Sequence, residues 1–151
     1  MDKIPKRTGI AYIYRSVLHN WEKYLIFPSK NPSNYQIVGL LLSIGYLLTN
    51  NLIFQIILVG VILILDWMDG AVARKFNLDT KEGWMIDVFI DRLSEGFMFA
   101  AHLSTTLGTW FFALYIINTI LSIYSIKSGK HLIMPLRFVW LLILLGKLWI
   151  S

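Results

Sequence analysis

Four aspartates near the middle of the chain combine residue type and spacing in a way that could support chemistry: Asp66, Asp69, Asp87 and Asp91. Residues three or four apart share one face of an α-helix, so the first two acids share a face and the last two share a face of the next helix. The flanking sequence is strongly apolar, and in such surroundings a carboxylate is protonated, paired or metal-bound. Because hard oxygen ligands without any cysteine favour Mg²⁺ or Mn²⁺, the pattern predicts a site for one or two of these ions.

Small residues and one arginine accompany the acids. Gly70 and Ala73 follow the second aspartate, and Gly83 precedes the third by four residues, so the helices carry little side-chain volume where the acids converge. Alone, the two glycines would be typical of close helix packing in a membrane. Together with the acids and the guanidinium of Arg74, they are typical of a diphosphate site, because phosphate oxygens bind divalent cations and arginine.

Written as one pattern, these residues resemble the signature of a known family. The pattern, which fixes eight residue identities over 26 positions, is Asp66-x2-Asp69-Gly70-x2-Ala73-Arg74-x8-Gly83-x3-Asp87-x3-Asp91. It is similar at every fixed position to the motif of the CDP-alcohol phosphatidyltransferases, integral-membrane enzymes of phospholipid headgroup synthesis. The resemblance implies a phosphotransferase for substituted phosphate groups. Such an enzyme transfers a phosphatidyl group from a CDP-alcohol, most simply CDP-diacylglycerol, to a hydroxyl acceptor and releases CMP.

The resemblance also implies a role for each motif residue. All four aspartates are expected to bind the metal, and Asp91 is additionally expected to act as the general base. Arg74 is expected to bind phosphate, while Gly70, Ala73 and Gly83 are expected to let the CDP diphosphate approach the backbone.

Residues outside the motif are further candidates for binding. Asn31 and Asn34 lie at the predicted start of the first span, where the residue types favour helix capping and the resemblance implies a nucleotide contact as the alternative. Lys127, Lys130 and Arg137 could form a basic pocket for a phosphate-bearing acceptor opposite the metal site. Arg137 is placed about two turns inside the last predicted span, so its side chain could instead extend to the cytoplasmic interface.

Local pairings are expected around the motif. Arg92 and Glu95 lie three residues apart on the predicted third span and should form an ion pair. Thr80 is expected to cap the start of that span. The stretch at residues 49–51, Thr-Asn-Asn, interrupts a long apolar run and is expected to be the turn between the first two spans.

Composition places the chain in a membrane. Its 151 residues are 56% hydrophobic and 15% charged, with a mean hydropathy of +0.61, which is too apolar for a soluble core of this size. The apolar runs predict an all-α, multi-pass transmembrane helix bundle of about five spans. The predicted spans are 35–49, 52–75, 84–104, 108–126 and 132–150.

The N-terminal part and the basic residues indicate how the chain is oriented. Apolar residues recur at three- and four-residue steps over 9–26, which predicts an amphipathic helix in the membrane interface. We therefore divide the chain into a cytoplasmic juxtamembrane segment, 1–30, and a transmembrane phosphotransferase domain, 31–151. Lysine and arginine occur before span one, in the connection between spans two and three, and in the connection between spans four and five. The two remaining turns contain neither residue. By the positive-inside rule, the N-terminus and the acids face the cytoplasm of the cell (inner) membrane.

The resemblance further implies an assembly and a set of partners. Family members have six membrane helices and form homodimers, so a homodimer is expected, and five predicted spans indicate a short or truncated member. The expected partners are a CDP-linked lipid donor, a polar alcohol acceptor and the bilayer. Nucleic acid is not expected, because the basic residues are spread over membrane-flanking segments instead of one reading surface.

Two other functions are compatible with acids in membrane helices. A metal or proton transporter would place acids there, but it needs a polar path that continues to the opposite face. A non-catalytic paralogue would bind the CDP-lipid without releasing CMP. The sequence leaves open the acceptor, the choice between a lipid and a small CDP-alcohol as donor, the choice between Mg²⁺ and Mn²⁺, and the dimer interface.

Overall fold

The computed structural model describes residues 27–78, 80–128 and 134–150. Over these residues the chain is helical with no strand, which confirms the predicted all-α class. The five helices are α1 (Pro32–Leu48), α2 (Leu52–Lys75), α3 (Lys81–Ala100), α4 (Thr106–Ser128) and α5 (Leu136–Ile150). The predicted interfacial helix at 9–26 lies outside the described residues, so that helix and the division after residue 30 stay predictions.

Polar side chains cap the starts of several helices, α1 and α3 among them. Asn31 Oδ1 accepts a hydrogen bond from the backbone N–H of Ser33 at 3.1 Å, and Pro32 occupies the first turn of α1. Thr80 Oγ1 accepts from the backbone N–H of Gly83 at 3.0 Å at the start of α3. Such caps satisfy N–H groups that have no acceptor within the helix. Both were expected from the sequence, and both are confirmed.

The turn between α1 and α2 is the predicted stretch at residues 49–51. Asn51 Oδ1 accepts from the backbone N–H groups of Ile53 at 3.0 Å and of Phe54 at 3.2 Å. This double cap starts α2 immediately after the turn. Because the connection is so short, α1 and α2 are antiparallel neighbours.

Four helix pairs form the main packing. Helix α1 packs against α2 and α3, while α4 packs against α3 and α5 packs against α2. The core lies toward the end with the α1–α2 turn, and its largest fully buried side chains are Tyr46, Ile62, Met98, Phe99, Trp140 and Leu144. Trp140 Nε1 donates to the Tyr46 hydroxyl at 2.8 Å, and this hydroxyl lies 2.6 Å from His102 Nε2. These bonds place the turns before α2 and before α4 at the same end of the molecule, away from the aspartates.

Apolar side chains also cover much of the outer surface. By length and composition, α2 and α4 could each cross a membrane, and only 22% of the most apolar stretch of either helix is buried inside the protein. Trp110 on α4 is 68% exposed and Trp149 on α5 is 92% exposed. Apolar surface of this extent indicates contact with lipid or with another protein.

Some helix ends differ from the predicted spans by a few residues. Helix α3 ends at Ala100 rather than at 104, because Thr105 Oγ1 accepts from the backbone N–H of Gly108 at 3.1 Å and starts α4 there. Helix α5 begins at Leu136 rather than at 132, directly after Pro135. Proline disfavours helical backbone in the residue before it, which explains a start at this point.

Candidate active site

Three of the four motif aspartates converge where α2 ends and α3 begins. Helix α2 presents Asp66 and Asp69, and α3 presents Asp87, with one carboxylate oxygen from each within 4.8 Å of the others. Oxygens that bind one Mg²⁺ or Ca²⁺ ion lie at most about 4–5 Å apart, so this acid triad fits a divalent cation. The predicted convergence of acids from two successive helices is therefore observed.

The fourth aspartate is held by an arginine from the last described helix. Arg137 Nη2 donates to Asp91 Oδ1 at 2.6 Å and to the Asp91 backbone oxygen at 2.8 Å. Its Nη1 atom lies 3.7 Å from Asp66 Oδ1, which links this pair to the acid triad. A short, charge-assisted contact of this kind fixes the orientation of a carboxylate. The four aspartates are thus divided into the triad and an arginine-bound Asp91.

Arg137 does not lie where the sequence analysis placed it. It is the second residue of α5, not two turns inside a span, because the helix begins only at Leu136. Its side chain is 6% exposed and points to the acids, so it does not extend to the interface. Asp66 and Asp91 are only partly exposed and Glu95 is buried, so the guanidinium lies among acids that a nearby cation stabilises.

The other two residues of the predicted basic pocket are not placed at the acids. Lys127 is exposed near the end of α4, and Lys130 lies outside the described residues. A role of these lysines and Arg137 in acceptor binding stays a prediction.

Helix α1 closes another side of the site. Gln36 Nε2 donates to Asp87 Oδ1 at 3.3 Å, across 51 residues of sequence. A cleft beside the acids is lined by α1, α2, α3 and α5, with Asp66, Asp91 and Arg137 on its polar side. Leu40, Ile62 and Leu65 are among the residues on its apolar side. The cleft therefore places apolar side chains directly beside the charged groups of the site.

A comparison with protein families agrees with this geometry. Residues 34–150 match the family model of CDP-alcohol phosphatidyltransferase. The chain belongs to this family. A search of curated proteins and a search of solved structures gave no match.

Membership of the CDP-alcohol phosphatidyltransferase family confirms the coarse functional prediction. The family consists of membrane-associated transferases of phospholipid biosynthesis that move a phosphatidyl group from a CDP-alcohol to an alcohol acceptor. The family uses a divalent metal, and the acid triad is a donor set of the right chemistry for one. The matched range covers the whole motif together with Gln36 and Arg137, and it begins after Asn31.

Two of the motif glycines have close neighbours in the structure. A Cβ atom at Gly70 would lie 3.1 Å from Arg74 Nη1, so the absence of a side chain at Gly70 leaves room for the Arg74 guanidinium beside α2. A Cβ atom at Gly83 would lie 3.2 Å from Thr80 Oγ1, the atom that caps α3. Ala73 is partly buried on the same helix as Arg74. That these small residues also admit the nucleotide stays a prediction.

Asn31 and Asn34 take part in the turn that starts α1. Asn31 is the cap of the helix, and Asn34 Nδ2 donates to Ser29 Oγ at 2.9 Å. The capping role is therefore confirmed for Asn31. A contact of either residue with the nucleotide stays a prediction.

The structure adds polar residues that sequence reasoning did not assign to the site. Gln36 contacts Asp87, and Ser94, which is 3% exposed, lies in the cleft wall with no hydrogen-bond partner for its Oγ among the described residues. Asn118 on α4 contacts Glu95, whose predicted ion pair with Arg92 is confirmed at 2.7 Å. Asn118 is an amide within an otherwise largely apolar predicted span, and that position is the signal that could have identified it. Gln36 and Ser94 lie beside other polar residues, so no comparable local signal marks them.

Proposed function

We propose that this chain transfers the phosphatidyl group of CDP-diacylglycerol to the hydroxyl of a polar acceptor and releases CMP. The observation that carries the proposal is the convergence of three aspartates beside an arginine-bound Asp91, in a cleft with an apolar side. A diphosphate joined to acyl chains combines the two kinds of chemistry that this cleft offers. Family membership supports the reaction class, and the specific donor and acceptor belong to the proposal.

The acid triad would hold one or two Mg²⁺ or Mn²⁺ ions. Asp69 is 5% exposed, and a carboxylate at such depth needs a cation to offset its charge. When bound, the metal would offset the charge of the diphosphate and the charge that develops on the departing CMP. Arg74 would bind a phosphate oxygen, and Gly70, Ala73 and Gly83 would let the nucleotide approach the backbone. Asn31 and Asn34 are proposed as further nucleotide contacts.

Asp91 would act as the general base. The acceptor oxygen attacks the phosphorus that carries the diacylglycerol, a new P–O bond forms, and the bridging P–O bond to CMP breaks. The hydroxyl proton passes to the Asp91 carboxylate, and CMP departs with the electron pair of the broken bond. Direct displacement of this kind needs no covalent enzyme intermediate. Arg137, Lys127 and Lys130 are proposed to bind the phosphate of the acceptor.

A membrane location supplies the lipid donor. We propose that the described helices form a multi-pass bundle in the cell membrane, with the N-terminus and the acids on the cytoplasmic side and with a second copy completing a homodimer. The apolar exposed surfaces of α2 and α4 and the distribution of lysine and arginine support this arrangement.

The buried residues beyond the site favour the transferase over a transporter. On α3, the side chains that follow Glu95 toward the opposite end include Met98 and Phe99, both fully buried and packed in one cluster with Trp140. A metal or proton transporter needs polar groups along this part of the path. The described residues place a mainly apolar cluster there, in which the Tyr46 hydroxyl and His102 are hydrogen-bonded to each other and do not continue a line of acids from Glu95.

The decisive experiment is CMP release by the purified protein in liposomes that contain CDP-diacylglycerol and either Mg²⁺ or Mn²⁺. The acceptors are inositol phosphate, glycerol phosphate, serine and inositol, and a parallel reaction supplies diacylglycerol with a small CDP-alcohol. We expect metal-dependent release with one acceptor. Nucleotide binding without release from any pair would instead identify a non-catalytic paralogue, and metal flux into liposomes without CDP-lipid would identify a transporter.

A further inference from the structure

Glu95 is a buried acid that the proposed reaction does not use. It lies one helical turn beyond Asp91 on α3, and it is 2% exposed. A buried carboxylate is costly unless charged and polar partners surround it. Its partners therefore indicate its role.

The nearest partner is Arg92 on the same helix. Arg92 Nη1 lies 2.7 Å from Glu95 Oε2, and Arg92 Nη2 donates to Oε1 at 3.1 Å. This pair alone would neutralise Glu95. Glu95 also contacts Arg137 on α5 and Asn118 on α4. Because Arg92 already balances the charge of Glu95, these two contacts indicate a further role.

The Arg137 guanidinium faces three acids with three different nitrogens. Its Nη2 lies 2.6 Å from Asp91 Oδ1, its Nη1 lies 3.7 Å from Asp66 Oδ1, and its Nε lies 3.8 Å from Glu95 Oε1. At 3.8 Å the last contact is ionic and too long for a hydrogen bond. Because the guanidinium is planar, the negative charge of an acid at the Nε edge favours one direction for the two Nη atoms.

Asn118 fixes the start of the helix that carries this arginine. Its Oδ1 accepts from the backbone N–H of Met134 at 2.8 Å, and its Nδ2 donates to the Met134 backbone oxygen at 3.1 Å. The same Nδ2 donates to Glu95 Oε2 at 3.4 Å. Met134 precedes Arg137 by three residues, so one buried amide ties the beginning of α5 to both α4 and Glu95.

We propose that Glu95 is a positioning residue, which together with Asn118 holds Arg137 so that it orients Asp91 and leaves the acid triad free for metal. In this arrangement Arg92 and Arg137 balance the charges of Glu95 and Asp91, and the triad keeps its own negative charge. Without the Glu95 carboxylate, the charge of Arg137 acts on Asp66 and Asp91 alone. It then competes with the metal for Asp66 and with the acceptor hydroxyl for Asp91.

The first test measures Mn²⁺ binding by electron paramagnetic resonance and requires no turnover. We compare Glu95→Gln, Arg137→Gln and the double variant, with Glu82→Gln, an exposed acid in the first turn of α3, as the matched control. Glu95→Gln should weaken Mn²⁺ binding about tenfold in the wild-type background and less than about twofold in the Arg137→Gln background. The control should leave the affinity unchanged. An equal loss in both backgrounds, or no loss in either, overturns the proposal.

The second test measures kcat and KM for CMP release at saturating metal, and it rests on the proposed function. Glu95→Gln should lower kcat at least about tenfold with less than about a threefold change in the donor KM, since it acts on the orientation of the base. Glu95→Asp, which retains the charge, should recover part of the lost kcat. A loss confined to KM, or a Glu95→Asp variant no better than Glu95→Gln, contradicts a positioning role.

Folding and the proposed function are controlled separately. Circular dichroism and gel filtration show whether Glu95→Gln folds, and if it does not, Asn118→Ala replaces it in the Mn²⁺ comparison. Asn118→Ala should weaken Mn²⁺ affinity about threefold in the wild-type background and leave it unchanged in the Arg137→Gln background. A loss that persists in that background counts against the proposal. Wild-type protein that releases no CMP contradicts the proposed function, whereas the Mn²⁺ comparison still decides the role of Glu95.

Discussion

At the scale of single residues, the motif aspartates are not equivalent. Asp66, Asp69 and Asp87 have oxygens within 4.8 Å of one another, whereas Asp91 has an arginine at 2.6 Å. Carboxylates that face one another repel unless a cation lies between them, and a carboxylate already bound by arginine is a poorer metal ligand. The structure thus separates a triad whose geometry fits a metal ion from a fourth aspartate that an arginine holds.

This division predicts that two similar substitutions fail in different ways. Asp91→Asn should lower kcat for CMP release by about 10²–10⁴-fold, the usual contribution of a general base. In the Arg137→Gln background, where no guanidinium is released onto Asp66, Asp91→Asn should change Mn²⁺ affinity by less than about threefold. Asp69→Asn should weaken Mn²⁺ binding by at least about tenfold, because it removes a ligand from the triad. Initial rates and Mn²⁺ titrations on the same preparations check both statements. Equal losses of affinity from the two substitutions in the Arg137→Gln background would assign Asp91 to the metal instead.

At the scale of helices, local sequence patterns predict where a helix such as α2 begins and ends. They do not predict which distant residues the packing of the helices brings together. The predicted bounds of α2, 52–75, agree with the structure, because Asn51 caps its start and basic residues occupy its last turn. The contacts Arg137–Asp91 and Gln36–Asp87 bridge 46 and 51 residues. The motif spacing predicts which acids share a helix face, but no local pattern specifies which arginine another helix will bring to them. That part of the site depends on how α1 and α5 pack.

The contact between α4 and the turn before it leads to a prediction about stability. A Cβ atom at Gly108 would collide with the backbone carbonyl of His102, whereas a Cβ atom at Gly60 in α2 would meet nothing within 4 Å. Gly108→Ala should therefore destabilise the protein by about 1–3 kcal/mol, the range of overpacking substitutions. Gly60→Ala should be neutral or stabilising by up to about 1 kcal/mol, because alanine is the better helix former. Thermal unfolding in detergent measures both, and equal shifts of the two melting temperatures would contradict the close packing at Gly108.

At the scale of the whole molecule, the two ends of the helices differ in chemistry. One end carries the acids and the contacts of Lys30 with the Phe76 ring and of Lys75 with the Phe27 ring, at 5.9 and 5.0 Å. The other end carries the hydrogen bond of Tyr46 with His102 and the two turns at 49–51 and 101–105. Lysine and arginine are absent from both of these turns. Lys147 lies near the Trp140 ring at this end, and the absence of basic residues from the two turns supports the proposed orientation, with the acids on the cytoplasmic side.

The orientation can be tested with single cysteines, because the chain has none of its own. Asn50→Cys and Thr105→Cys place a thiol in the two turns without basic residues, and Leu78→Cys and Ser128→Cys place one at exposed positions near the other end. In intact cells, a thiol reagent that does not cross membranes should label the first two variants only. All four should react after the membrane is made permeable. Labelling of Leu78→Cys from outside would reverse the orientation and place the acids away from cytoplasmic CDP-lipid, and labelling of all four in intact cells would contradict a multi-pass bundle.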